Sequence, residues 1–209
     1  MALLRWMIKA AWQHRQSQGQ ELMLQALFMV ALILMGHFGG LLRQDPVSFV
    51  WVTLLVTHMV GTGLGGLNQD AVSTTLLVHK IPLIAWVWVH VLVMGVTRGV
   101  VMTALAMLVL AASGLASWGL AGVVALGILP LMLYRMLVET LMGAGVFGFV
   151  WLCPLLTPLV IFGLDTMQRA AAGNLSFSGG AVYGMMYVLF CVAVLPWIVA
   201  WIIRERLTS

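Results

Sequence analysis

The chain has 209 residues, 63% of them hydrophobic and only 8% charged, with a formal net charge of +4. A water-soluble domain carries about 25% charged residues, so a soluble monomer is excluded, as are disordered, collagen-like and coiled-coil classes. What remains is an integral membrane protein.

The hydrocarbon core of a bilayer is about 30 Å thick and a helix rises about 1.5 Å per residue, so one crossing takes roughly 20 apolar residues. Stretches free of Asp, Glu, Lys and Arg run over 22–42, 46–69, 81–97, 99–134, 140–164 and 170–203. None alternates apolar with polar residues as a transmembrane strand must. The prediction is an all-α polytopic membrane protein with six helices near 22–42, 47–67, 83–112, 118–138, 148–167 and 181–203.

In residues 1–20, Arg5, Lys9, Gln13 and Gln16 recur on one helical face and Leu3, Leu4, Met7 and Ala11 on the other, with Trp6 and Trp12 between them. This pattern predicts an amphipathic helix lying in the membrane interface. It precedes a single six-helix transmembrane domain over 21–209. Arg43-Gln44-Asp45-Pro46 is a short connection, which makes the first two spans a hairpin. The run Gly61-Thr62-Gly63-Leu64-Gly65-Gly66 has no preceding strand and no following Lys-Ser/Thr. It reads as close helix packing or a hinge rather than as a phosphate loop. Residues 68–82 form the longest inner connection, with Asp70, His79, Lys80 and Pro82 beside Val72, Leu76 and Leu77.

The third span is about ten residues longer than a perpendicular crossing needs and contains Arg98, which lies about 22 Å along the helix from Leu83. That depth is within snorkelling reach of the outer surface, yet an arginine inside a span is also a functional candidate. Ser113-Gly114 and Trp118-Gly119 mark a tight outer turn. Arg135 and Glu139 stand four apart near the inner end of span four, the spacing of a helical ion pair. Span five contains Pro154 and Pro158, which remove two backbone donors four residues apart and are expected to bend or break the helix. His37, His58 and His90 lie in spans without diagnostic ligand spacing, and Cys153 and Cys191 match no metal or haem-attachment motif.

With the N-terminus inside, the inner loops hold Arg5, Lys9, Arg15, Lys80, Arg135, Arg204 and Arg206, and the outer side holds Arg43 and Arg169. Seven against two places both termini in the cytoplasm or matrix. The basic N-terminus leads into a segment of full spanning length without an A-x-A-like site, so a retained first span is expected.

Two segments resemble the CcmB family, the permease-like subunit of the cytochrome c maturation ABC transporter. The first is Gly143 to Met167, in which Gly145-Val146, Pro154 and Pro158-Leu159-Val160-Ile161-Phe162-Gly163 fall in register with the family's fifth span. The second is the inner loop, in which Gln69-Asp70-Ala71, Leu76-Leu77 and Ile81-Pro82-Leu83 match the pattern before the third span. Length, six spans and an amphipathic N-terminus agree with the family. The chain departs from it at Thr74-Thr75, where the family carries an acidic residue, and at Leu141-Met142, where it carries a basic one.

The resemblance implies an ABC-2-type permease fold and a non-enzymatic subunit of the bacterial inner membrane, or of the mitochondrial inner membrane if organelle-encoded. It implies a homodimer assembled with the ATPase CcmA, with CcmC and CcmD, and with the haem chaperone CcmE. ATP is then used by the partner and haem is handled by the complex, with no cofactor bound by this chain. Gln69, Asp70, Leu76, Leu77, Lys80 and Pro82 would form the ATPase-coupling loop. Arg98, Arg135, Glu139, Pro154 and Pro158 would be the intramembrane functional or hinge residues. Two other readings use the same residues: a permease of another ABC-2-type exporter for a lipid, polysaccharide or drug, and a membrane enzyme built on His58, His90, Arg98 and Glu139. The enzyme reading lacks paired carboxylates, an HExxH motif or a serine–base arrangement.

Overall fold

A computed structural model describes residues 15–60, 82–141, 147–174 and 179–208. Of these, 92% are helical, and no strand occurs among them. The long helices are α1 (Arg15–Phe38), α2 (Pro46–Val60), α3 (Leu83–Ala112), α4 (Trp118–Leu141), α5 (Phe147–Ala171) and α6 (Gly179–Thr208). Among the described residues, three stretches are apolar and long enough to cross a membrane: Leu83–Ala112, Trp118–Val138 and Ala181–Glu205. Leu22–Phe38 and Pro46–His58 are shorter apolar helices. Residues 15–20 continue α1 without a break, while residues 1–14 of the expected interfacial helix lie outside the described residues.

Helix ends follow local chemistry. α1 stops at Phe38, short of the predicted residue 42, because Gly40 takes a left-handed φ of 74°. A single helical turn, Leu41–Gln44, follows. Asp45 then caps α2: its carboxylate accepts the Ser48 backbone N–H at 3.0 Å and the Ser48 hydroxyl. Such a cap satisfies donors that the first helical turn leaves without partners. At the next turn Gly114 is left-handed, the Leu115 N–H reaches Leu110 O at 2.9 Å, and Ser117 Oγ accepts the Leu120 N–H at 3.1 Å.

α4 is the centre of the bundle, in contact with α2, α3, α5 and α6. Every residue from Leu131 to Val138 is buried. Trp51 of α2 is the largest fully buried side chain among the described residues and lies between glycines of two other helices. A Cβ on Gly127 of α4 would stand 2.4 Å from Trp51 Cη2, and one on Gly163 of α5 would stand 2.2 Å from Cζ2. Phe49 fills the same kind of notch at Gly36 of α1. Small residues thus let bulky ones interlock, which is how helices associate where lipid is as apolar as leucine.

The two ends of the bundle are distinct. Gln168 of α5 donates to Ser48 Oγ at 3.1 Å, which brings the 39–45 connection and the residues after α5, 172–174, to one end. At the other end Ile203 of α6 and Leu83, Ala85 and Trp86 of α3 are half-buried against one hydrophobic cluster, and the Leu83–Met94 part of α3 contacts α6. Connections predicted to share the outer side therefore share an end, and the start of α3 shares the opposite end with Arg204.

Candidate functional site

Gln69, Asp70, Leu76, Leu77 and Lys80 of the expected coupling loop lie outside the described residues. Pro82 is exposed and precedes the first residue of α3, with φ −63° and ψ 119°. That is a place where a missing N–H costs nothing, since the first turn has no partner for it.

Arg98 is placed differently from the snorkelling expectation. α3 is one helix of 30 residues, so Arg98 lies about 22 Å from Leu83 and about 21 Å from Ala112, at its midpoint. Its side chain is 2% exposed, directed into the bundle. The residues around it, Gly95–Gly99, form a π-helical turn. Such a turn inserts an extra residue and frees a carbonyl, and the Thr97 hydroxyl donates to Val93 O at 2.8 Å. Gly99 faces α4, where a Cβ would meet Ile128 at 3.2 Å. Nothing in the apolar run announced the π-turn; the only signal was the pair of glycines flanking Thr97-Arg98.

Other buried polar groups line the interior. His58 of α2 donates from Nδ1 to Leu54 O at 2.9 Å, which leaves Nε2 as its other hydrogen-bonding atom. His90 stacks on Trp86 at 5.2 Å with 20° between the rings. Thr140 donates back to Met136 O and Leu137 O. His37, by contrast, is exposed at the end of α1.

Arg135 is a second departure from expectation. Expected near the inner end of span four, Arg135 stands about 9 Å before the end of α4, which runs on to Leu141, and is 1% exposed. The side chain of Glu139 lies outside the described residues.

Pro154 and Pro158 sit inside α5, which is not interrupted at either. Each proline removes only its own donor, at the expense of the carbonyls of Val150 and Pro154, and the remaining ladder carries the helix through. α4 and α6 likewise contain Pro130 and Pro196. Breaking is thus ruled out for α5, and the prolines remain points of reduced backbone bonding. Pro154 is exposed and Pro158 half-buried.

Sequence reasoning missed a tyrosine pair and a cavity. Tyr134 of α4 and Tyr187 of α6 bond hydroxyl to hydroxyl, and Cys191 Sγ donates to Tyr134 at 3.7 Å. Beside them is a cavity of about 250 Å³ lined by Trp51, Gly127, Pro158, Phe162, Gly163 and Tyr187 among others. Only the heavy aromatic and glycine content hinted at either. Among the described residues, no three His, Cys, Asp or Glu side chains converge as metal ligands would.

No family model, curated protein or solved structure matches this chain.

Proposed function

We propose that this chain is the permease-like subunit of an ABC-type membrane complex, of the kind that the CcmB family supplies to cytochrome c maturation. It crosses the membrane six times with both termini on the inner side, and it couples ATP hydrolysis by a CcmA-type partner to release of haem-loaded CcmE from CcmC. The observation that carries the reading is the sharing of ends. The segment that resembles the family's inner loop leads into α3 at Leu83, which shares a hydrophobic cluster with Ile203 beside the basic end of α6. A nucleotide-binding partner docked there would act on α2 and α3 together. Motion would pass along α3 to the π-turn at Arg98 and through α4 to α5, whose backbone bonding is thinned at Pro154 and Pro158.

The role is mechanical and non-enzymatic, with haem held by the complex rather than by this subunit. The test is haem staining of membrane proteins in cells lacking the gene, with the haem state of CcmE measured alongside. Global loss of c-type cytochromes with haem-loaded CcmE retained on CcmC is the expected result. Normal c-type cytochromes would overturn the maturation role and leave an ABC-2-type exporter of another cargo.

A further inference from the structure

The aromatic residues of α6 are ordered along its exposed side. At about 3.6 residues per turn, Tyr183, Met186, Phe190, Ala193, Trp197 and Trp201 share one face of the helix to within about 80°. All six are exposed. The aromatics with a polar tip stand at the ends of this stripe: Tyr183 at one, Trp197 and Trp201 at the other, 60%, 66% and 62% exposed. Between them lie only Met186, Phe190 and Ala193, none of which has a hydrogen-bonding group. Tyr187, one turn beyond Tyr183, is turned into the bundle instead, where its hydroxyl meets that of Tyr134.

Two kinds of neighbour cover an apolar face in a membrane, and they place such aromatics in opposite ways. A protein interface gathers Trp and Tyr at the centre of the patch, where they are fully desolvated. A bilayer draws them to the margins, where the ring meets hydrocarbon and its polar tip meets headgroups. On α6 both margins hold them and the centre holds none.

The spacing agrees with the thickness of a bilayer. Tyr183 and Trp201 are separated by about 27 Å along the helix at about 1.5 Å per residue. Side chains on a helix lean toward its N-terminus, so both rings are displaced the same way and keep this separation. Hydrocarbon cores are about 30 Å thick on average and about 27 Å in thinner membranes. Arg204 is exposed, about 5 Å beyond Trp201, at the level where a cation meets lipid phosphate.

We propose that this stripe of α6 is a lipid-contact surface of the assembled protein, and that Tyr183 and Trp201 mark the two boundaries of a hydrocarbon layer about 27 Å thick along the helix. Acyl chains lie on Met186, Phe190 and Ala193, while the Tyr183 hydroxyl and the Trp201 indole N–H bond to headgroup and water oxygens. The surface does not depend on an ATPase driving the protein. It directs any second copy or partner subunit to other faces of the bundle.

The test uses the full chain in phosphatidylcholine nanodiscs, with a nitroxide placed at Tyr183→Cys, Phe190→Cys, Ala193→Cys or Trp201→Cys in a Cys153→Ser background. Cys191 is fully buried and stays unlabelled. Collisions are measured with oxygen, which concentrates at the bilayer centre, and with a water-soluble nickel chelate. The ratio of oxygen to nickel collisions should be several-fold higher at 190 and 193 than at 183 and 201, with the two ends alike. A flat profile, or a maximum at either end, would overturn the proposal. So would loss of oxygen access at 190 and 193, which makes the occupant protein, and dipolar broadening between Phe190→Cys labels, which makes it a second copy. If the substituted chains do not fold, photolabelling of the wild type decides. A lipid with a diazirine at the chain terminus should mark Met186 to Ala193, and one with it at the headgroup Tyr183 and Trp201. Identical adducts from the two lipids would overturn the assignment.

Discussion

α4 and α6 are both apolar throughout, yet 67% of the apolar stretch of α4 is buried and only 28% of that of α6. In water such helices would both have to be interior. In a bilayer, lipid replaces protein as the apolar neighbour, so composition no longer says which side chains touch which. The difference lies in what the neighbours offer. α4 presents Gly127 to Trp51 and Gly99 of α3 meets its Ile128, so backbones approach from two sides. α6 sends Cys191, Leu195 and Val199 inward along one stripe and leaves Met185, Leu189 and Trp197 outside.

The largest contrast should come from glycines. Gly127→Ala puts a Cβ 2.4 Å from a rigid indole ring and should cost about 3 kcal/mol, seen as a fall in thermal stability in detergent. Gly184→Ala meets nothing nearer than Thr166 Oγ1 at 3.3 Å and should change stability by less than about 1 kcal/mol. Similar losses at both positions would erase the distinction between the helices.

Truncating leucines sharpens the same contrast. Leu131→Ala on α4 removes a fully buried side chain and should cost about 2 kcal/mol or more in reversible unfolding. Leu189→Ala, on the exposed face of α6, should stay within about 0.5 kcal/mol. The bond joining the two helices is a smaller effect: Tyr187→Phe removes the hydroxyl that meets Tyr134 and should cost about 1 kcal/mol.

The smallest expected effect lies at the end of the bundle, away from both helices. The Ser48 hydroxyl and backbone N–H hold the Asp45 carboxyl below its usual value of 3.8. Because the folded-state value is lowered, this cap stabilises the fold above about pH 4 and is lost as pH falls through the depressed value. Asp45→Asn should therefore cost at most about 1 kcal/mol at pH 7 and flatten the acid limb of stability against pH. An unchanged acid limb would detach Asp45 from the α2–α5 end contact.

Much of the helical layout was legible beforehand. The apolar runs near 83–112, 118–138 and 181–203 reappear as α3, α4 and α6 because run length and a missing charge determine where a helix can persist in hydrocarbon. Turns were legible at Ser113-Gly114, where a left-handed glycine is needed, but the end of α1 was misplaced by four residues because Gly39-Gly40 stops it inside an apolar run. Of the candidate site residues, Arg98 stood out as a charge in a span and Arg135 as a basic residue near one. Their burial was not legible, since it depends on which face of each helix meets a neighbour.

Composition and patterning were thus enough for an all-helical, membrane-embedded chain, because hydrophobic length and charge distribution are properties of residues in order along one segment. The placement of Trp51 between Gly127 and Gly163, the inward turn of Arg98 at a π-helical step, and the cavity beneath Met185 depend on residues far apart in the sequence meeting in space. Those contacts are set by shape complementarity between helices, which apolar content does not encode when lipid and protein interior are equally apolar.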